Sequence, residues 1–180
     1  MIYNFKNKIR KRVRLFYYFL HRKLVTPPNI ESFLSESLEI IKKGVPNSKI
    51  LYLAVKYDYG DKKSGLSFEE YNYYHALKNI NNLEVFRLDI YSIYLKYGKS
   101  FTNKIIKEVC VIEGINKIIF FLYEDIIDHN LLKDISDNYP IETIIWLFDD
   151  DKRHNDTVHL TNCFNKVVTT ISQKHELRLK

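Results

Sequence analysis

Three consecutive aspartates, Asp149, Asp150 and Asp151, follow directly on the apolar run Ile144 to Phe148, and Arg153 and His154 come just after them. Carboxylates crowded together raise one another's pKa, which suits a general base that takes a proton from a hydroxyl. Asp149 and Asp151 also spell D-x-D, a spacing that holds a divalent metal bound to a nucleotide diphosphate. A third role is to accept hydrogen bonds from substrate hydroxyls and the local backbone. A solvated turn capping a short helix near Asn155 accounts for the same letters, and the spelling does not choose among these readings. Arg153 either neutralises the cluster or meets a phosphate.

A second stretch with chemical potential is "KYDYGDKKSG", residues 56–65. Gly60 and Gly65 let a backbone turn tightly or approach a ligand closely. The loop ends at Ser67-Phe68-Glu69-Glu70, a capping box with Ser67 as N-cap and Glu70 at N3, flanked by Leu66 and Tyr71 in hydrophobic-staple positions. The free N–H groups of such a helix start can receive an anion. His154 and His159 are too far apart in sequence to share a helical face, and His75 reads as structural. Cys110 and Cys163 lack metal or redox spacing, sit in apolar contexts and read as reduced, buried thiols. Dinucleotide, P-loop and nucleophile-elbow motifs are absent, and no cofactor is expected.

The elements that must position these residues alternate in type. Strands are expected at Ile50 to Val55, Leu83 to Leu88, Lys117 to Leu122, Thr143 to Phe148 and Lys166 to Thr169. Helices are expected at Ile30 to Lys43, Ser67 to Ile80, Phe101 to Glu113, Asp128 to Asn138 and Ser172 to Leu179. Such alternation builds a Rossmann-like α/β fold, here a parallel sheet of about five strands with flanking helices. Apolar runs such as "KIIFFLY" suit strands covered on both faces. Ligands of such sheets bind at the strands' C-terminal edge. Tyr57, Asp58, Gly60, Asp89, Tyr91, Glu124, Asp125, Asp149, Asp150, Asp151 and Arg153 all fall there. The order 3-2-1-4-5 would make strands one and four neighbours, setting the loop 56–65 across one crevice from the aspartates.

Composition sorts the partners. Apolar residues at 46% are enough for one domain with a sizeable core. The net charge of +6 is uneven: residues 1–30 carry eight basic residues and no acid, the remainder 20 basic against 22 acidic. Nucleic-acid binding is therefore not expected of the globular part. Two regions follow, a basic leader at 1–30 and the α/β domain at 31–180. In the leader, Ile2, Phe5, Ile9, Val13, Phe16, Leu20 and Leu24 recur three and four apart, one apolar helical stripe. It is too broken by charge to span a bilayer. It reads either as a helix lying on anionic lipid or as one docked on protein.

Four stretches in order, "ILYLAVKYDYGDKKSGLSFEEYNYYHAL", "KIIFFLYEDII", "IIWLFDDDKRH" and "VVTT", resemble the N-terminal half of CgeB-like (spore-maturation-type) GT-B glycosyltransferases. The resemblance spans roughly residues 49–170 and is most specific at 65–69 and 146–150. It implies transfer of a sugar from a nucleotide-sugar donor, usually without a bound metal, to a sugar or a lipid- or protein-linked acceptor. The N-terminal half mostly receives the acceptor, so Tyr57, Asp58, Gly65, Ser67, Asp149, Asp150 and Arg153 would line the cleft, with Asp149 and Asp150 as catalytic candidates. The chain ends at Lys180, and a donor-binding half is expected elsewhere, making this a fragment, a truncated gene product or half of a split enzyme. A cytoplasmic protein, peripheral at the inner membrane face, would fit. Two other classes fit the residues: a non-catalytic flavodoxin-like binding or regulatory module, and a metal-dependent GT-A-type transferase using Asp149 and Asp151.

Overall fold

Short apolar runs alternating with amphipathic segments fold into a six-stranded sheet with helices on both faces. The computed structural model describes residue 13 and residues 16–122, 125–147 and 158–169. The strands are β1 (Glu39–Lys42), β2 (Ser48–Ala54), β3 (Leu83–Asp89), β4 (Lys117–Phe120), β5 (Glu142–Leu147) and β6 (Lys166–Thr169). Helices are α1 (residues 16–24), α2 (Ile30–Ser37), α3 (residues 68–77, π-helical over Glu70–Tyr74), α4 (Ile90–Tyr97), α5 (Lys99–Glu113) and α6 (His129–Asn138). The expected helix at 172–179 lies outside the described residues.

The strand order is β1-β3-β2-β4-β5-β6, parallel throughout except that β1 pairs antiparallel with β3. This is a mostly parallel, Rossmann-like α/β sheet. Two expectations need correction. Residues 30–43 do not form one helix: α2 stops at Ser37, and Glu39–Lys42 extends as an edge strand with alternate residues half-buried. Nor is the order 3-2-1-4-5. In chain order the five parallel strands run 2-1-3-4-5, because β1 occupies the edge beyond β3 where the next strand would have to add. The crossover after β3 therefore returns over β2 and places β4 on its other side.

One face carries the larger core. Leu51, Leu53, Phe86, Leu88, Ile118, Phe120, Ile145 and Leu147 pack under Ile105, Ile106 and Val109 of α5 and Leu132 and Ile135 of α6. Burying each such side chain contributes about 2 kcal/mol. The opposite face is aromatic: Tyr74 of α3 stacks on Tyr52 at 5.4 Å, Tyr52 meets Phe121 at 5.2 Å, and Tyr73 meets Trp146 at 4.7 Å. The Trp of the 146–150 stretch is thus part of the sheet's packing.

Within that aromatic face sits a buried charge. The Arg87 guanidinium, 3% exposed, donates to Glu70 from Nε at 3.1 Å and Nη2 at 3.0 Å, and to Glu39 from Nη1 at 3.2 Å. Lys56 also binds Glu39, at 2.7 Å. Burial raises the Glu70 pKa despite Arg87. Glu39 is more open, and the Lys56 hydrogen bond with the charges of Arg87 and Lys56 outweighs desolvation and lowers its pKa.

The sheet's N-terminal edge is stitched by side chains. Asn116 Oδ1 accepts from Ser48 Oγ at 2.7 Å and Lys49 N at 3.1 Å, and its carbonyl accepts from Glu142 N at 2.9 Å. Asn165 Oδ1 accepts from Thr143 N and Oγ1 at 2.7 and 2.9 Å. These close the ends of β2, β4, β5 and β6 at the edge opposite the expected site.

The helix start expected at Ser67 forms, in altered shape. Ser67 Oγ accepts from Glu70 N at 3.1 Å and donates to the Val55 carbonyl at 2.6 Å. The return half of the capping box is missing, because the Glu70 carboxylate turns to Arg87 and the Ser67 N–H donates to the Lys56 carbonyl at 3.0 Å. Leu66 and Tyr71 remain mostly exposed. Since Ser67 Oγ holds two backbone groups and the residue is fully buried, Ser67→Ala should cost about 2 kcal/mol in urea unfolding.

Candidate functional site

The chain reverses its winding direction between β2 and β4, so the crevice of a doubly wound sheet opens where their C-terminal ends diverge. Residues 55–67 form one wall and residues 121, 122 and 125–128 contribute to the other. β5 is therefore one strand further out, with β4 between it and β2. Asp149, Asp150, Asp151 and Arg153 themselves lie outside the described residues.

The β2 wall is a folded-back loop. Tyr57 and Leu66 bridge in antiparallel fashion, and Asp58 N donates to the Gly65 carbonyl at 3.0 Å. Two 3₁₀ turns, Asp58–Gly60 and Lys62–Ser64, fill the interior, the second capped by Asp61. Tyr57 and Asp58 are half-buried at the base, while Lys62 and Lys63 are exposed. Gly60 has φ +67°, and a Cβ there would lie 2.9 Å from the Tyr91 ring. Its glycine answers to that packing. Gly65, with φ +85°, sits in open space. Ser67 is sealed below the loop, fully buried with its hydroxyl held by two backbone groups, so its side chain does not open on the cleft. Asp89 is likewise occupied, capping α4 through Ser92 N at 3.2 Å.

The opposite wall gathers polar groups that no single stretch of sequence contains. Lys99, at the start of α5, pairs with Asp125 at 2.9 Å and Asp128 at 3.2 Å. Against the desolvation that pulls it down, these hydrogen bonds and charges hold the Lys99 ammonium above its ordinary pKa, so it is a fixed cation. Asn103 clamps Asp128 from beneath with a hydrogen bond from Nδ2. His159 Nε2 lies 3.8 Å from Asp125 Oδ1, and its ring stacks on His129 at 5.3 Å and 15°. His129 Nδ1 is in turn 3.8 Å from Cys163 Sγ.

Lys99, Asp125, His129, His159 and Cys163 thus form one connected surface at the sheet's C-terminal edge. Its chemistry is that of a hydroxyl- or anion-binding wall: a carboxylate to accept, an ammonium to attract, and two imidazoles whose ring nitrogens can donate or accept hydrogen bonds. Among the described residues no set of three His, Cys, Asp or Glu side chains converges to hold a metal. Asp125 was expected here from its place after a strand. The other four were not, because His159 and Cys163 arrive on a 3₁₀ segment, Val158–Cys163, that has no periodic signature.

A broad open cleft of about 660 Å³ lies elsewhere, between Pro27, Pro28 and Ile30 on one side and Phe101, Lys104 and Glu108 of α5 on the other. It includes none of the residues just described, and we place the site by its chemistry.

No family model and no curated protein matches this chain.

The two cysteines provide an internal comparison. Cys110 is buried, and desolvation pushes its thiol up to about 12. Cys163, expected to be buried as well, is instead partly exposed beside an imidazole, because its 3₁₀ segment runs at the sheet's edge. Native alkylation with iodoacetamide should label Cys163 and spare Cys110 until the chain unfolds, and His129→Gln should slow that labelling several-fold. Peptide mass mapping reads both outcomes.

Proposed function

We propose that this domain is the acceptor-binding half of a GT-B-type glycosyltransferase, with the edge between β2 and β4 as its acceptor wall. The supporting observation is the Lys99–Asp125–His159 cluster, which puts a fixed cation, a carboxylate and an imidazole together after β4, the parallel neighbour of the strand that leads into the folded-back loop. Such a wall suits a polyhydroxylated acceptor, whose hydroxyls need donors and acceptors in fixed places. The ordered stretches from 49 to 170 supply the reaction class.

In the transfer, the acceptor oxygen attacks the anomeric carbon as its proton passes to a base, and the nucleoside diphosphate leaves with the bonding pair. Asp149 or Asp150 takes the base role in this reading, and His159, set against Asp125, is the candidate within the described residues. The nucleotide sugar is held by the donor half, and no metal enters the reading.

A non-catalytic, flavodoxin-like binding module is the second reading, favoured by the strand order, since 2-1-3-4-5 is the flavodoxin arrangement. Titrating the full chain with a panel of hexoses and N-acetylhexosamines, and separately with flavin mononucleotide, divides the two by NMR. The transferase reading expects saturable sugar binding at the edge, weakened about tenfold by Asp125→Asn/His159→Gln. Saturable flavin mononucleotide binding with no sugar response would favour the second reading. Turnover of a nucleotide sugar by this chain alone would contradict the division into acceptor and donor halves.

A further inference from the structure

Helix α1 turns one side to the domain and the other to solvent. Tyr18 packs on Val55, Tyr91 and Leu95, residues that follow β2 and β3. Arg22 fixes the rotation: its Nε donates to the Leu95 carbonyl at 3.0 Å, and its guanidinium lies 4.6 Å from the Tyr94 ring centre. A helix held by residues 18 and 22 must point residues 13, 16, 17, 20 and 24 away, given 100° per residue. Those positions hold Val13, Phe16, Tyr17, Leu20 and Leu24, and every one is exposed, at 63%, 62%, 60%, 45% and 85%.

The described part of the apolar stripe, Val13, Phe16, Leu20 and Leu24, is therefore not what docks the helix. Polar Arg22 and the Tyr18 ring do that, while Val13, Phe16, Leu20 and Leu24 stay exposed and Tyr17 meets only Tyr18 and His21 of its own helix. A contiguous row of large apolar side chains on one helix face marks an interaction surface.

Charge decides what covers it. Residues 1–30 carry Lys6, Lys8, Arg10, Lys11, Arg12, Arg14, Arg22 and Lys23 with no acid, while the rest of the chain has a slight excess of acid. An apolar face with a purely basic surround complements an anionic bilayer surface, where the stripe enters the acyl boundary and the cations meet headgroups. A second copy of this chain would bring the same positive charge and be repelled. No helix among the described residues is long and apolar enough to cross a membrane, so the contact is one of lying on the surface.

We propose that α1 docks the protein on anionic lipid through Val13, Phe16, Tyr17, Leu20 and Leu24. The surface itself stands apart from the transferase reading. Resting on that reading is one consequence: α1 sits on the residues that follow β2 and β3, so the sheet's C-terminal edge is turned toward lipid and the acceptor is membrane-borne.

The test is co-sedimentation of the full chain with vesicles of phosphatidylglycerol and phosphatidylcholine, against pure phosphatidylcholine, at low and high salt. Binding should require the anionic lipid, fade with salt, and weaken about tenfold in Phe16→Ala/Leu20→Ala. Both side chains face solvent, so the variant should keep the parent's circular dichroism and melting temperature. Equal binding to neutral vesicles, or unchanged binding by the variant, would overturn the proposal. So would a parent dimer that the same substitutions convert to a monomer without any vesicle binding. Because no turnover is measured, failure here bears on the lipid surface and leaves sugar binding to its own titration.

Discussion

The Arg87 guanidinium, buried between Glu70 of α3 and Glu39 of β1, is the contact on which the rest of the domain depends. It joins three elements far apart in sequence: an edge strand, an inner strand and the helix that follows the β2 loop. Desolvating an arginine costs several kcal/mol unless its donors are met, and here three are, by two carboxylates. The Tyr74 ring lies over the guanidinium at 5.5 Å. Burial first, and then the Glu39 charge, push the Tyr74 pKa up, so its hydroxyl stays a donor toward Glu39.

Two features of the architecture follow from that contact. Glu39 stands opposite Arg87 in the β1–β3 register, so the ion pair reinforces β1 at the outer side of β3. With that side taken, the strand after α5 pairs with β2 instead, which sets the β2–β4 crevice. Glu70 is also held in place of closing the capping box, and Ser67 beneath it anchors the end of the β2 loop to Val55. The C-terminal edge, where Lys99, Asp125 and His159 cluster, contrasts with the N-terminal edge, where Asn116 and Asn165 join strands.

Local pattern carried most of the elements. β6 falls on Lys166–Thr169 as read from sequence, and β2 to β5 begin or end within two residues or so of their expected limits. Apolar runs bounded by Gly, Asn or Pro are strong signals because burial decides them. β1 was illegible for the same reason: "LEIIKK" continues the apolar spacing of α2, and only pairing with β3 makes it extended. The strand order was lost with it, since order depends on which edges are already occupied. Of the site, Asp125 and the loop 56–65 were readable from their place after strands. The Lys99, His129, His159 and Cys163 grouping was not, because it comes from three segments whose proximity is created by the sheet.

The most direct measurement is a double-mutant cycle on Arg87 and Glu70 by urea unfolding, comparing Arg87→Leu, Glu70→Leu and the pair. Removing Arg87 alone strands a buried carboxylate and should cost about 3 kcal/mol or more at neutral pH, with the pair recovering most of it. The Glu70 pKa is already raised in the folded chain and rises further without Arg87. Protonation then favours the folded state, so the Arg87→Leu loss should be full above that raised pKa and shrink as pH falls through it. Additive losses that do not change with pH would contradict the account, and would mean that Arg87 and Glu70 do not tie β1, β3 and α3 into one unit.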